Sequence, residues 1–357
     1  MIDLCITYSQ IVFNDMSVFS LAIPLSVFGG YTVLSLVLLR FPTLIHRKKI
    51  LKFRKSRCNR CRLIAHRGGA GDNLENTLTA YNHAMNLNYD MLEIDCQFTK
   101  DKQVVIVHDD VLTRVTGQPV SVKETEYVDL PKLNSSLKIQ MSKGEICRSE
   151  SEDRGIPLLY DVLKTYPGVP INIDIKRDDD EFISKVSSMV KDFDREEITV
   201  WGNFRESIAK KCYKENPKIP LCFSVWGVTR VVLQFYLGLL PFCPIKEQFL
   251  EIPMPSIFTK YWGEELTKFQ RMLIIVVDFL IMSKFLFSHL KKRGIEVYLW
   301  VLNEEEDWER ALKLGASGIM TDYPEQLKNF MQSKNHILND NEEEHLIEKD
   351  DQSVASK

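Results

Sequence analysis

Acidic residues are absent between Met16 and Gly71, yet ten of the 46 lysines and arginines fall between Arg40 and Arg62. Over the whole chain the charges nearly cancel, to a formal −3 over 357 residues, so no molecule-wide field draws a nucleic acid and no such partner is expected. The eight cysteines (Cys5, Cys58, Cys61, Cys96, Cys147, Cys212, Cys222 and Cys243) follow no repeated spacing. That excludes a disulfide framework and leaves Cys58-x-x-Cys61 as half a zinc site at most. There is no G-x-S-x-G and no G-K-[ST], and HRGGAGDNLEN carries Leu74 where the third glycine of G-x-G-x-x-G would stand. Nucleophile-elbow, Walker and dinucleotide-binding readings fall with them. A composition 45% hydrophobic and 27% charged excludes disordered, collagen-like and polytopic membrane chains.

The local charge imbalance has a positional explanation. Met16 to Leu39 is uncharged, and as a helix its 24 residues would reach about 36 Å, enough for a hydrocarbon core of about 30 Å. It reads as one uncleaved membrane anchor, since Asp3 and Asp15 precede it where a secretory signal would be basic. The basic stretch that follows places the rest of the chain on the cytosolic side and could hold anionic headgroups. The expected order is a short segment at 1–15, the anchor at 16–39, a basic linker at 40–61, a folded region at 62–330, and an acidic, disordered tail at 331–357.

Within the folded region, β-branched or apolar runs recur at Arg62–His66, Met91–Phe98, Val104–His108, Ile171–Ile175, Ile198–Trp201, Leu221–Val225, Val297–Leu302 and Ile319–Thr321. Amphipathic stretches fill several of the gaps. Eight alternating units over about 270 residues predict an α/β fold, a (β/α)8 TIM barrel. Two insertions interrupt it, at about 110–155 and 226–282. In the turn after His66, Asn73 is the expected helix N-cap, with Glu75 in the first helical turn.

The residues that spoil the strands carry the chemistry. In MLEIDC, Glu93 and Asp95 alternate with Leu92, Ile94 and Cys96; in INIDIK, Asn172, Asp174 and Lys176 alternate with three isoleucines. A period of two sends each polar set to one face, which must be the lumen if the aliphatic set meets the helices. Glu93, Asp95 and Asp174 therefore converge. Three carboxylates repel unless a cation joins them, and hard oxygens favour Mg²⁺ or Ca²⁺, with Mn²⁺ a further option. The competing reading is a salt-bridge network with Lys176 and Arg67. His66 and His108 each close a strand at the barrel end where catalytic groups sit, as proton-transfer groups or, for His108, as a metal ligand. Arg67 offers a fork for a phosphate, Lys176 a second positive charge, and Trp300 a wall of the pocket or a piece of core.

His66-Arg67-Gly68, Glu75-Asn76-Thr77, Glu93-x-Asp95, His108-Asp109, Ile156-Pro157-Leu158, Asp174-x-Lys176 and Gly318 to Pro324 together resemble the glycerophosphodiester phosphodiesterase family over about Leu63 to Phe330. The anchor and the segments LPFCPIKEQFLEIPMPS and VYLWVLNEEEDWERALKLGASGIMTDYP resemble its membrane-anchored, lysophospholipase D branch. The resemblance implies a TIM barrel, one divalent cation, and cleavage between phosphate and head-group alcohol in a lysophospholipid or glycerophosphodiester. It also implies placement in the endoplasmic reticulum membrane. The wider family more often has Glu where Asp174 stands. Two rivals remain at this level: a phosphodiesterase for soluble glycerophosphocholine, and a lipid-headgroup binding module without turnover. No protein partner can be inferred. The apolar insertion after the sixth strand suggests contact with a membrane interface, and a second span around Val231–Ile245 is not expected because Pro241 and Pro244 interrupt it.

Overall fold

The structure, a computed structural model, describes residues 25–48, 51 and 61–334. Its strands are β1 (Arg62–Ala65), β2 (Met91–Phe98), β3 (Val104–Ile106), β4 (Ser136–Lys138), β5 (Ile146–Arg148), β6 (Ile171–Ile175), β7 (Thr199–Gly202), β8 (Phe249–Pro253), β9 (Glu296–Trp300) and β10 (Gly318–Thr321). Seven of them run parallel in the order β7-β6-β2-β1-β10-β9-β8. Leu221 bridges in parallel to Trp201 and Cys222 to Phe249, so these two residues complete the circuit as a very short eighth stave. The expected barrel is present, with two changes of stave.

The run Val104–His108 is not a stave. β3 folds back antiparallel on β2, and its side chains are already covered, Val105 by the small core of the 110–155 excursion. The true sixth parallel strand is β8, inside the stretch read as an insertion. Its sequence FLEIP ends in proline and is interrupted by Glu251, which hid the strand signal. The stretch expected as a strand at Leu221–Val225 shrinks because Ser224 caps a helix, its hydroxyl accepting from the Gly227 N–H at 3.1 Å.

Alternation works as the sequence predicts. Leu92, Ile94, Cys96, Ile171, Ile173 and Ile175 pack outward against the helices. Ile64, Met91, Val200, Cys222, Phe249, Tyr298 and Met320 fill the lumen as a separate cluster. The helices are α1 (Leu25–Arg40), α2 (Leu78–Asn86), α3 (Thr113–Thr116), α4 (Leu159–Thr165), α5 (Asp180–Asp192), α6 (Glu206–Glu215), α7 (Val225–Tyr236), α8 (Ser256–Trp262), α9 (Lys268–Ile281), α10 (Lys284–Lys292) and α11 (Glu305–Leu314), followed by a closing helix at 324–334. α2 starts later than expected: Thr77, not Asn73, is its N-cap. The closing helix carries buried Phe330 and Met331, so the fold passes the boundary expected at 330.

The chain before Leu25, most of the basic linker and residues 335–357 lie outside the described residues. Among the described ones, no single helix is long and apolar enough to cross a membrane; the bent pair α9 and α10 passes only by length and composition. α1 is the described part of the expected anchor, and it is packed onto the barrel. Tyr31 and Ser35 donate to the carbonyls of Leu237 and Gly238, each at 2.6 Å, and His289 Nδ1 lies 2.9 Å from the Leu39 carbonyl. The run Val231–Ile245 is no continuous helix, since α7 ends at Tyr236 and Gly238 turns the chain at φ +71°.

Close packing in the lumen generates a test. A β-carbon at Gly318 would lie 2.6 Å from the Tyr298 ring and 2.9 Å from Ile64. Gly318→Ala should destabilise the barrel by about 1–3 kcal/mol through overpacking, read as a lowered midpoint in chemical denaturation.

Candidate active site

At the mouth of the barrel a cavity of about 230 Å³ is lined by His66, Arg67, Glu93, Asp95, His108, Asp174, Lys176 and Trp300, every residue expected to act in catalysis, substrate binding or metal ligation. The in-register pairs Glu93↔Asn172 and Asp95↔Asp174 on β2 and β6 bring the three carboxylates to one face. His66 sits where β1 ends, and the chain turns at once: Arg67 is left-handed at φ 52°, which aims its N–H at Glu93 Oε2, 2.9 Å away. Gly68 follows because a β-carbon there would meet Tyr81 and Ala80 at 2.7 and 2.8 Å.

The two histidines are built alike. His66 Nδ1 lies 2.6 Å from Asp322 Oδ1, and Asp322 is fixed in turn by Asn303, whose Nδ2 donates to its Oδ2 at 2.9 Å. His108 Nδ1 lies 2.7 Å from Asp109 Oδ1. Arg114 holds Asp109 through Nε at 2.7 Å and Glu75 through two further 2.7 Å bonds. A carboxylate on Nδ1 fixes the ring and leaves Nε2 for chemistry; that of His66 points toward Glu93, 4.0 Å from Oε2. His108 reaches the mouth from the loop after the β2–β3 hairpin, not from a stave.

The positive charges are engaged with the acids. Lys176 Nζ bridges Asp95 Oδ1 and Asp174 Oδ2 at 2.7 and 2.6 Å. Arg67 Nε lies 3.0 Å from Asp95 Oδ2, and its Nη1 donates to Glu75 and Gln140, both at 3.0 Å. Asn76 Nδ2 donates to Asp95 Oδ2 at 2.9 Å, and Asn203 Nδ2 to Asp174 Oδ1 at 2.6 Å. The salt-bridge network weighed from sequence thus exists. It compensates Asp95 and Asp174 more fully than Glu93, and it engages Nε and Nη1 of the Arg67 guanidinium, the group expected to clamp phosphate.

Burial alone would raise Asp95, but Lys176 and Arg67 outweigh it and hold the carboxyl well below its usual range. Glu93 moves the other way, raised by burial and by the charge of Asp95. Burial works against a charge on His66, yet Asp322 and Glu93 leave it raised; burial lowers His108 despite Asp109. One imidazole is therefore biased toward the charged form and the other toward the neutral form.

Residues to which the sequence reading gave no role in the site fall into two groups. Asp322, Asn303, Arg114 and Glu75 act on the histidines and on Arg67. Glu75, expected in the first turn of a helix, lies before α2 and is buried between Arg67 and Arg114. Glu251 on β8 lines the cavity floor; its Oε2 accepts from Asn172 at 2.8 Å, and burial with the charges of Glu93 and Asp174 pushes it up to about 8. A lone acid in an apolar run was its only signal.

Residues 66–326 match the glycerophosphoryl diester phosphodiesterase family. The chain belongs to this family. It is 48% identical over 308 residues to the human protein named Lysophospholipase D GDPD1, covering 86% of this chain and 96% of that one. It is 38% identical over 304 residues to human Lysophospholipase D GDPD3, covering 85% and 93%. The fold is shared with an Oleispira antarctica phosphodiesterase solved with the product sn-glycerol-3-phosphate, at 18% identity, TM-score 0.52, and coverage of 76% and 97%. As a phosphodiester hydrolase of this family, the chain places both imidazoles and all three strand carboxylates around one cavity. A further group, Asp72, His83 and Glu325, brings ligand atoms within 4.8 Å of one another, but none of the three lines that cavity.

The opposed histidine shifts are measurable in metal-free protein. By NMR titration His66 should lose its proton above the ordinary imidazole value of about 6.5, and His108 below it. Because its folded value is raised, His66 stabilises the fold at low pH, and that contribution fades as pH rises through the folded value. Equal midpoints for the two rings would contradict the geometry.

Proposed function

We propose that the protein is a metal-dependent lysophospholipase D, cleaving lysophosphatidylcholine-like lipids to lysophosphatidic acid and the head-group alcohol. The observation that carries the reading is two carboxylate-backed imidazoles facing three strand carboxylates in one cavity, in a chain 48% identical to a protein of that name.

A divalent ion fits the donor set. Lys176 Nζ already sits between Asp95 and Asp174, so the space between these hard oxygens receives a cationic group, and Glu93 completes the set with His108 as a further donor. Mg²⁺ or Ca²⁺, with Mn²⁺ less favoured, suits carboxylate oxygens. When bound, the ion supplies Lewis-acid polarisation of a phosphoryl oxygen. The chain's own residues do the rest. Lys176 and Arg67 place positive charge beside the carboxylates and the incoming phosphate. His66 and His108 divide the proton-accepting and proton-donating roles through Nε2. Trp300 lines the cavity while resting on the lumen cluster, so it serves as wall and as packing.

The 16–39 segment is read as a single membrane anchor with the barrel on the cytosolic side; the ten basic residues and the absence of acids support this orientation. Placement in the endoplasmic reticulum follows from the family resemblance.

Glu93→Gln, Asp95→Asn and Asp174→Asn should each remove most turnover of lysophosphatidylcholine, and chelation should do the same. His66→Ala and His108→Ala should each cost about 10²- to 10⁴-fold in kcat. A choline-release assay with purified protein checks all five, and undiminished activity in chelator would sink the metal scheme. Asn134-Ser135-Ser136, with Asn134 exposed, should stay unglycosylated in cells, as the resistance of the protein's mass to an endoglycosidase will show.

A further inference from the structure

The helices outside the site present an apolar surface that the catalytic reading does not use. α9 reads KFQRMLIIVVDFLI, and none of its 14 residues is buried. A helix apolar on nearly every side belongs in a protein core or in lipid, and this one touches the core only through Ile281 at its end. Its one acid, Asp278, is neutralised internally, paired with Arg310 and accepting from the Ser256 N–H at 3.0 Å. α7 carries an exposed stripe of Trp226, Leu233, Tyr236 and Leu237. It joins the other elements: Tyr236 donates to the Leu280 carbonyl at 3.0 Å, and α1 bonds to the carbonyls just past its end. At its other end, Val225 N–H donates to the carbonyl of Phe204 at 2.9 Å, and exposed Phe204 lines the catalytic cavity. The apolar strip thus runs from the lip of the cavity to α1 and α9.

We infer that α1, the exposed stripe of α7 and α9 form a bilayer-facing surface that holds the cavity mouth at the lipid headgroups, so that a single-chain lysophospholipid enters without crossing water. The inference rests on the lysophospholipase D reading for its substrate, and on the surface itself for its partner. A bilayer is the occupant favoured because the chain leading into α1 is uncharged from Met16 onward. α1 ends at Arg40, with Arg47 and Lys48 in the turn and coil that follow, and Lys292 donates to the Arg40 carbonyl at 2.7 Å. With these bases at the α1 end and no unpaired acid on α1, α7 or α9 themselves, the surface complements anionic lipid; exposed Glu264 and Glu265 stand just before α9, at its other end. A second copy of the chain would bring like charges together.

The full-length protein, placed in phosphatidylcholine–phosphatidylserine vesicles with brominated acyl chains, tests it. Native fluorescence should be quenched, less so in Trp226→Phe and more so in Phe279→Trp. Ile275→Asp with Phe279→Asp should lower kcat/KM for vesicle-borne lysophosphatidylcholine by about tenfold or more, while leaving glycerophosphocholine within about twofold. Absence of quenching at positions 226 and 279, equal effects on both substrates, or detergent-stable self-association abolished by the same double substitution would each overturn the inference. Quenching that persists in a protein hydrolysing neither substrate would uphold the surface and overturn the lysophospholipase D reading alone.

Discussion

Carboxylates placed inside a parallel barrel set the terms for everything around them. Glu93, Asp95 and Asp174 face a lumen otherwise filled by Ile64, Met91, Phe249 and Tyr298, and unpaired charge there would be prohibitive. Much of the mouth can be understood as a response to that constraint. Lys176 bridges two acids and Arg67 reaches a third partner in Glu75. The left-handed backbone at Arg67 turns even a peptide N–H onto Glu93. Glu75 returns the balance to Arg114, which then orders Asp109 and, through it, His108. The site and the ion-pair network are one connected object.

That connection reconciles two readings that seem opposed in the sequence. A salt-bridge network and a cation site use the same oxygens, and a lysine ammonium between Asp95 and Asp174 marks a position where positive charge is favourable. The network also leaves an asymmetry. Glu93 is raised while Asp95 is held low, and His66 and His108 are displaced in opposite directions. Titratable groups whose environments separate their protonation states are what acid–base chemistry near neutral pH requires.

The outer face of the molecule follows a different logic. Most barrel helices bury a stripe and show water a polar back; α5, for instance, buries Phe182, Ile183, Val186 and Val190. α9 buries nothing. Apart from Ile281 its hydrophobicity serves no core, which is why a bilayer is inferred as its partner, and its continuity with α7 and the cavity lip ties that inferred partner to substrate entry.

The sequence alone determined the period-two strands, and with them the barrel, the lumen face of Glu93, Asp95 and Asp174, and the placing of both histidines near one end. These are local consequences of alternation, legible because a charge in an aliphatic strand has a single acceptable direction. Tertiary structure decided what depends on distant partners. Nothing in VVIVH shows that β3 pairs backward onto β2, and FLEIP gives too short and too broken a pattern to announce a stave until Cys222 and Glu296 flank it. Glu75 resembles a first-turn helix acid until Arg67 and Arg114 enclose it. Asp322 reaches His66 across 256 positions, and only closure of the ring brings the last strand beside the first.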